Sequence, residues 1–243
     1  MIPRFHCSPP LSPGALVTLP EGAAHHALRV LRMKSGDRLV LFDGQGGEWQ
    51  ATLKVGAGGT AQALIDAFND VERESPLAIT LAQALPAGDK MDWIVEKCVE
   101  LGVAAIQPLA AKRSVMRLSA ERMARRLAHW NAIAAAACEQ CGRNRVPTVA
   151  PVLDLPQYLA QAAAHNALSL IMVPDGAQRL ETFSRPSGPV IVLVGPEGGW
   201  EASEIEAAQA AGFMALKLGP RILRTETAGM AALAALQALW GDF

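Results

Sequence analysis

The feature that most constrains the fold of this chain is a pattern that occurs twice in its last quarter. Residues 190–194 form the apolar run VIVLV, which ends in GPEGG at residues 195–199. Residues 213–218 form a second apolar run, which leads into GPRILRTETA at residues 219–228. Each run is typical of a buried strand, and a helix-like segment follows each loop. Ligands of open α/β sheets bind in loops beyond the carboxyl ends of the strands, so the pattern predicts a binding site here.

The rest of the chain divides into two parts with different patterns. Strand-like and helix-like segments alternate over residues 77–243, which predicts an α/β domain with a mostly parallel sheet. Within it, Asp89 is the expected cap of a helix that ends at Gly102. Residues 1–72 contain short strand-like runs at 15–19, 38–42, 48–55 and 61–67, separated by turns and by a helix-like segment at 25–31, which predicts a small, barrel-like β domain. The polar segment 69–76 is the expected linker. The glycine cluster within residues 40–47 precedes an alternating run, so it predicts a hairpin and not the glycine-rich loop of a Rossmann-type enzyme.

Composition excludes several classes of protein. Hydrophobic residues make up 51% of the chain, which indicates a globular protein. No apolar run reaches the roughly 18 residues that a membrane-spanning helix needs, and the first residues lack the apolar segment of a signal peptide. We therefore expect a cytoplasmic protein without a membrane segment. Cys138 and Cys141 have CxxC spacing, but no second close pair of ligands accompanies them, so we expect no metal site.

Positive charge is concentrated in one segment, although the net charge of the chain is −1. Residues 112–145 contain two glutamates and the following basic residues: Lys112, Arg113, Arg117, Arg122, Arg125, Arg126, Arg143 and Arg145. Arginine predominates, and its guanidinium group fits phosphate oxygens. The segment therefore predicts a surface that binds a polyanion, while the alternative is a solvated basic helix face.

The two glycine loops differ from the common nucleotide-binding motifs. GPEGG has neither the Gly-Lys-Ser/Thr of a P-loop nor the GxGxxG of a dinucleotide site. Glycines let the backbone approach a flat ligand and offer N–H groups to it, whereas the Glu197 carboxylate disfavours a phosphate-rich ligand. Thr225 or Thr227 can cap the final helix. Arg221 and Arg224 are less easily explained as structural residues.

Several segments together resemble the RsmE family, whose members methylate N3 of a uridine in 16S rRNA of the small ribosomal subunit. The main segments are GPEGG at 195–199, LGPRILRTETA at 218–228, KCVELGV at 97–103, RSV at 113–115 and EQCGRNRVP at 139–147. Near the N-terminus the matches are PRF at 3–5, His25, RVLR at 29–32 and Gly-Asp at 36–37. The resemblance covers nearly the whole chain, and Cys141, Trp200 and Glu201 are its departures from the family pattern.

The resemblance implies a SPOUT-class methyltransferase. Residues 73–243 would form the SPOUT methyltransferase domain, an α/β domain with a mostly parallel sheet and a C-terminal trefoil knot. Residues 1–72 would form a PUA-like, RNA-binding β-barrel. The implied cofactor is S-adenosyl-L-methionine, held in the knot loops. The implied assembly is a homodimer with its sites at the subunit interface, and the implied substrate is 16S rRNA or the small ribosomal subunit.

The resemblance and the loop chemistry together indicate three groups of site residues. The expected cofactor contacts are Pro174, Gly195, Pro196, Glu197, Gly198, Leu218, Gly219, Ile222, Leu223, Thr225 and Thr227. For catalysis we expect Arg224 to stabilise the developing imidate oxygen, and Glu226 or Glu197, or a water that one of them holds, to accept the N3 proton. The expected RNA phosphate contacts are Arg4, Arg29, Arg32, Arg113, Arg122, Arg126, Arg143 and Arg145.

Two other functions are compatible with these residues. One is a SPOUT methyltransferase that acts on another rRNA base or on tRNA. The other is a non-catalytic RNA-binding factor in ribosome assembly, although the intact glycine loops with Arg224 and Glu226 favour an enzyme. A nucleotide-dependent enzyme is disfavoured, because the P-loop and Rossmann motifs are missing.

Overall fold

The computed structural model describes residues 2–8, 10–114, 119–164, 166–175 and 178–243. Arg117 of the basic segment and Val115 of the 113–115 motif lie outside these residues. Contacts between Cα atoms divide the chain into two units. Unit 1 comprises Met1–Glu74 and Ala135–Val146, and unit 2 comprises Ser75–Ala134 and Pro147–Phe243. Unit 1 therefore contains a segment from the middle of the chain in addition to its N-terminal part.

Unit 1 is built on one five-stranded sheet. Its strands are β1 (Arg4–His6), β2 (Leu16–Thr18), β3 (Arg38–Phe42), β4 (Glu48–Val55) and β5 (Ala61–Asn69). Their spatial order is β1-β3-β4-β5-β2, in which β1 is parallel to β3 and the other pairs are antiparallel. The antiparallel β3–β4 pair confirms the hairpin predicted for the glycine cluster. A short helix, α1 (Glu21–His25), continues as a π-helical turn over His26–Val30 and begins earlier than the sequence predicts.

The core of unit 1 forms because apolar side chains alternate along the strands. Leu39, Leu41, Leu53 and Ile65 are almost completely buried, and Phe5 of β1 joins them. Burial of each such side chain stabilises the fold by about 1.5–3 kcal/mol. The sheet and its core are what the sequence predicts for a small β domain, while strand β1 was not predicted.

The segment 135–146 is fixed in unit 1 by a buried asparagine. Asn144 is inaccessible to solvent. Its Oδ1 accepts a hydrogen bond of 2.5 Å from Arg4, and its Nδ2 donates one of 2.7 Å to the carbonyl of Val71. A buried amide without partners is costly, so these bonds make the position intolerant of apolar replacements.

Unit 2 is built on an eight-stranded sheet. Its strands are β6 (Ile79–Ala84), β7 (Ala105–Ala110), β8 (Thr148–Val149), β9 (Leu153–Asp154), β10 (Leu168–Met172), β11 (Gln178–Arg179), β12 (Val190–Val194) and β13 (Met214–Lys217). The spatial order is β11-β13-β10-β12-β6-β7-β8, and β9 also pairs with β7. All these pairs are parallel. The central strand β12 is buried on both faces, as its unbroken apolar sequence predicts.

Helices cover both faces of this sheet. They are α2 (Lys90–Glu100), α4 (Leu155–Ala162), α5 (Ala202–Ala210) and α6 (Thr225–Trp240). A further helix, α3 (Ala120–Cys141), begins in unit 2 and ends in unit 1. Helices α4 and α5 share an apolar cluster with Ala82 and Ala84 of β6. Helix α6 approaches the same strand at Leu81, whose side chain would lie 3.2 Å from a Cβ added at Gly229. Because successive side chains of a strand point to opposite faces, α6 lies on the other face, where α2 packs against it.

Helix α2 shows why these segments begin and end where they do. Met91, Ile94, Val95 and Cys98 are buried at helical spacing. Gly102, with φ of 79°, reverses the chain after the helix, and the Val103 N–H closes the end by donating to the Cys98 carbonyl at 2.9 Å. Asp89 precedes the helix as predicted, but its side chain makes no capping hydrogen bond. The expectation of an Asp89 cap is therefore wrong, although the helix is confirmed.

The α/β domain with a mostly parallel sheet and the smaller N-terminal β domain are confirmed, while the knot stays a prediction. The division of the chain near residue 72 also stays a prediction. Within the described parts of the chain, no helix is long and apolar enough to cross a membrane.

Candidate functional site

Three loops that contain predicted site residues follow three adjacent strands of unit 2. The strands β13, β10 and β12 are neighbours and parallel, so their carboxyl ends lie at the same edge of the sheet. The loop after β13 begins with Leu218 and Gly219, the loop after β10 contains exposed Pro174, and the loop after β12 is 195–199. The fold thus brings the predicted cofactor contacts to one edge.

The loop 195–199 is packed closely against its own unit. A Cβ added at Gly195 would lie 3.2 Å from the ring of Trp200, and one added at Gly198 would lie 3.1 Å from the Cβ of Arg113. The Arg113 guanidinium donates to the Gly198 carbonyl at 2.8 Å. Gly199 has φ of 66°, a backbone conformation that favours glycine. Pro196 is buried beside them. The glycines are therefore required by the packing of the loop itself.

The loop after β13 is open by comparison. Gly219 has φ of 69°, and a Cβ added there would meet no atom within 4 Å. Ile222 is 82% exposed, while Leu218 and Leu223 are half-buried. An accessible backbone beside exposed apolar side chains suits a flat, partly apolar ligand or a protein partner.

A buried threonine joins the two glycine loops. The Thr225 hydroxyl donates to the Gly195 carbonyl at 2.5 Å and accepts from the side-chain amide of Gln83 at 2.9 Å. Gln83 also donates to the Ala84 carbonyl at 2.9 Å. The Thr225 hydroxyl is thus engaged within the protein. Helix α6 begins at Thr225 with Arg224 as the preceding cap residue and has no side-chain cap, so the expectation that Thr225 or Thr227 caps it is wrong.

Two glutamates approach one lysine next to these loops. Lys90 Nζ lies 2.7 Å from Glu197 Oε1 and 3.7 Å from Glu226 Oε2. The Ala87 N–H also donates to the Glu197 carboxylate at 3.0 Å. Burial raises the pKa of Glu197, but the hydrogen bonds from Lys90 and backbone N–H groups outweigh it and hold this pKa below 4.5. The hydrogen bond to Glu197 in turn raises the pKa of Lys90, so the pair is ionised at neutral pH.

Arg224 and Thr227 remain accessible at the start of α6. Both residues are exposed, and no ion pair of Arg224 exists within the described parts of the chain. The backbone N–H of Thr227 donates to the Arg224 carbonyl at 2.9 Å. An arginine held by its backbone with a side chain free of ion pairs can turn towards an anionic or carbonyl oxygen of a ligand.

Most of the arginines predicted to contact RNA lie on surfaces. Arg29, Arg32 and Arg122 are exposed. Arg126 lies 3.9 Å from Asp89 at the surface of unit 2, and Arg145 of unit 1 is bound to Glu72 at 2.5 Å but remains half-exposed. Arg113 of unit 2 is exposed as well, although one of its nitrogens holds Gly198 as described above.

Arg4 and Arg143 are buried instead, and they leave the proposed phosphate-binding set. The Arg4 side chain is 10% exposed and binds Glu48 at 2.5 Å as well as Asn144. The Arg143 side chain is 6% exposed and pairs with Glu74. Both arginines therefore stabilise unit 1 from within. The sequence could not distinguish them from surface arginines, because their partners are up to 140 residues away.

The sequence missed two side chains that organise the site. Gln83 occupies a strand position where an apolar residue is usual, and a polar residue there is the only sign of the Thr225 contact. For Lys90, the sequence indicates only a solvent-exposed lysine at the start of a helix. Both roles depend on contacts with segments more than 100 residues away.

The cysteines and a cavity beside helices α4 and α5 lie apart from this site. All four cysteines are free thiols, and burial raises the pKa of Cys138 to about 12. The described part of the chain contains no cluster of three potential metal ligands. A cavity of about 890 Å³ opens between the loop after β7 and helices α4 and α5 and contains none of the predicted cofactor contacts. Its polar lining is already bonded, since the Lys112 N–H donates to Glu204, so we assign the site to the glycine loops.

Comparison with known proteins gives matches to two family models and to several relatives. A family model described as an RNA methyltransferase domain matches residues 73–237, and one described as an RNA methyltransferase PUA domain matches residues 19–66. Ribosomal RNA small subunit methyltransferase E of Synechocystis is 39% identical over 230 residues, which are 93% of this chain and 74% of the relative. The protein of the same name from Buchnera aphidicola (subspecies Schizaphis graminum) is 32% identical over 99% of this chain and 98% of its own.

A solved structure agrees with these relatives. The crystal structure of a ribosomal RNA small subunit methyltransferase E from Neisseria gonorrhoeae, bound to S-adenosyl methionine, is 44% identical, has a TM-score of 0.91 and covers 100% of both chains. Its sequence identity and coverage go beyond a likeness of fold. The chain therefore belongs to the ribosomal RNA small subunit methyltransferase E family of RNA methyltransferases.

Proposed function

We propose that the protein transfers a methyl group from S-adenosyl-L-methionine to N3 of a uridine in 16S rRNA of the small ribosomal subunit. One observation supports the proposal most directly. Three loops of the domain that matches the RNA methyltransferase model lie at one edge of the sheet, next to the buried carboxylate of Glu226. An rRNA substrate also implies action in the cytoplasm.

The residues present fit such a cofactor. The backbone around Gly219 is accessible, and Ile222 and Leu223 provide apolar surface. Pro174 lies in the loop after β10, the strand between β13 and β12, which precede the two glycine loops. We propose that these residues and the 195–199 backbone hold the adenosine part. When bound, S-adenosyl-L-methionine supplies an electrophilic methyl group, whose bond to sulfur breaks as a bond to N3 forms, leaving that electron pair on sulfur.

The chain must then make N3 of uridine a nucleophile. The neutral imide is a poor nucleophile because its nitrogen carries a proton. Glu226 is the proposed acceptor of this proton, after which N3 retains the electron pair of the broken N–H bond. Arg224 is proposed to turn its accessible guanidinium to the uracil oxygen that gains charge. Positioning by the loops supplies the rest of the rate enhancement.

Solvent-accessible arginines of each unit are the proposed contacts to RNA phosphates. In unit 1 they are Arg29, Arg32 and Arg145, and in unit 2 they are Arg113, Arg122 and Arg126. Phosphate contacts release counterions, so affinity for RNA should fall steeply as salt rises. An affinity that does not change with salt contradicts this part of the proposal.

The protein is further proposed to act as a homodimer. Helix α2 exposes Trp93 (48%), and the end of unit 2 exposes Leu239 (51%) and Phe243 (63%). Large apolar side chains exposed at the surface favour an interface with a second subunit. This supports the dimer that the family resemblance implies.

Nucleoside mass spectrometry tests the proposed reaction. 16S rRNA from cells that lack the gene should contain no 3-methyluridine, and the wild-type gene should restore it. Glu226→Gln should not restore it, whereas Glu206→Gln, at an exposed glutamate of α5, should. Unchanged 3-methyluridine in the deletion strain rejects the proposal, and loss of another methylated nucleoside redirects it to another base.

Calorimetry separates an enzyme from an RNA-binding assembly factor. The purified protein should bind S-adenosyl-L-methionine with a measurable dissociation constant. A protein that binds 16S rRNA but not S-adenosyl-L-methionine fits the assembly factor instead.

A further inference from the structure

Three ionisable side chains meet beside the glycine loops, each from a different segment of unit 2. Lys90 is the first residue of α2, Glu197 lies in the loop after β12, and Glu226 is the second residue of α6. The Lys90 ammonium hydrogen-bonds to Glu197 at 2.7 Å but stays 3.7 Å from Glu226. The lysine is therefore hydrogen-bonded to one carboxylate and lies farther from the other.

The oxygens of the two carboxylates differ in what they already bind. Glu197 accepts hydrogen bonds from Lys90 and from the Ala87 N–H, and its side chain is 32% exposed. Glu226 is 10% exposed, and its Oε2 has no hydrogen-bond donor among the residues that the structure describes. A buried carboxylate oxygen without a donor is costly, which is the pattern expected of a group that meets its partner only when a ligand arrives.

We propose that Lys90 is a positioning residue that ties Glu197 to the start of α2 and holds its charge beside Glu226, while it leaves Oε2 of Glu226 open to the substrate proton. The proposal rests on the proposed function for the identity of that proton. It assigns different roles to the two carboxylates that the sequence leaves as alternatives: Glu197 closes the loop, and Glu226 accepts the proton.

Other charged groups near Glu226 do not compete for this role. The strands β6 and β12, which α6 covers, contain no ionisable side chain. On α2, Asp92 binds His129 and Trp130, and Lys97 binds Glu96 and Glu100. On α6 itself, Arg224 lies at the cap position and is exposed. Lys90 is therefore the cation that the structure places against Glu226.

Because Lys90 lies closer to Glu197 than to Glu226, two variants should shift the pKa of Glu226 in opposite directions. Lys90→Met removes the positive charge beside Glu226, so the pKa of Glu226 should rise by about 1 unit. Glu197→Gln removes one negative charge and frees Lys90 to approach Glu226, so the same pKa should fall by about 1 unit. Lys90→Arg retains the charge and should restore the wild-type value within about 0.3 unit.

The measurement is a ¹³C NMR titration of the full-length protein without cofactor, labelled at the glutamate side-chain carboxyl carbons. The Glu226 resonance is assigned by its absence from Glu226→Gln. The partly exposed Lys90 and Glu197 leave the core intact when replaced, and circular dichroism at each pH checks folding. The acid limb of kcat/KM against pH is measured with small ribosomal subunits from a deletion strain as substrate. It should move to higher pH in Lys90→Met and to lower pH in Glu197→Gln.

A double variant tests whether Lys90 is shared. In a Lys90→Met background, Glu197→Gln can act only through the lost negative charge, so its shift should be less than half of that in the wild-type background. Equal shifts in both backgrounds, or shifts of the same sign for the two single variants, overturn the proposal. If the wild-type protein fails to methylate rRNA while the NMR shifts appear, the proposed function fails and the role of Lys90 stands.

Discussion

The hydroxyl of Thr225 allows the strongest quantitative prediction about the site. Thr225→Val keeps the shape of the side chain but removes the bond to the Gly195 carbonyl and the bond from Gln83. Two neutral hydrogen bonds contribute about 1 kcal/mol each, and the abandoned Gly195 carbonyl adds up to about 1 kcal/mol. Gln83 keeps its bond to Ala84, which limits the loss. We expect the free energy of unfolding to fall by about 2–3 kcal/mol.

Urea unfolding followed by tryptophan fluorescence measures this loss, and thermal unfolding should show a decrease of about 5–10 °C. Thr227→Val is the matched control, since Thr227 is exposed two residues later on the same helix and should change stability by less than about 0.5 kcal/mol. Thr225→Ser keeps the hydroxyl and should recover most of the loss. Affinity for S-adenosyl-L-methionine should fall with Thr225→Val, because the hydroxyl holds the two glycine loops together. Equal stability of Thr225→Val and Thr227→Val would refute this reasoning.

Three further predictions separate buried charges from functional surfaces. Arg4→Met should lower the free energy of unfolding by about 3 kcal/mol, because it leaves buried polar groups without a partner, and should leave the salt dependence of RNA binding unchanged. Arg29→Ala should leave stability unchanged. In RNA binding titrations it should lower the slope of log affinity against log salt concentration by about 1. Burial raises the pKa of Glu48, but the hydrogen bonds from Arg4 and Arg73 outweigh burial and hold this pKa below 4.5. Its stabilising contribution is therefore present above pH 4.5 and lost as the pH falls further, and Glu48→Gln should flatten that part of the stability–pH curve in urea titrations. Trp93→Arg should convert the proposed dimer to a monomer in light scattering, and an unchanged mass would contradict the interface.

Local patterns predicted the regular elements well. The strands β3, β4 and β12 have the bounds that their sequences predict. Each prediction needs only local information, namely the apolar pattern of the strand and the turn beside it. The end of α2 followed from Gly102, whose left-handed backbone is a local requirement. The glycine loops also followed from local sequence, and the family resemblance supplied the cofactor.

Contacts between distant segments could not be predicted in the same way. Arg4 and Arg143 look like phosphate-binding arginines until their carboxylate partners are located. Gln83 and Lys90 acquire their roles from Thr225 and Glu197, which are far away in sequence. A single sequence states which side chains are charged or polar, but their pairing is decided by how the strands are ordered in the sheet.

The division of helix α3 has a consequence for the synthesis of this protein. Residues 135–141 of the helix, with the segment up to Val146, belong to unit 1, while the start of the helix belongs to unit 2. A nascent chain that has released only its first 74 residues therefore lacks Asn144, the buried partner of Arg4 and Val71. Unit 1 can reach its final form only after the chain has been made through residue 146, when β6, α2 and β7 of unit 2 have already been translated. Cutting the gene near residue 72 would leave the N-terminal β domain permanently in that unfinished state.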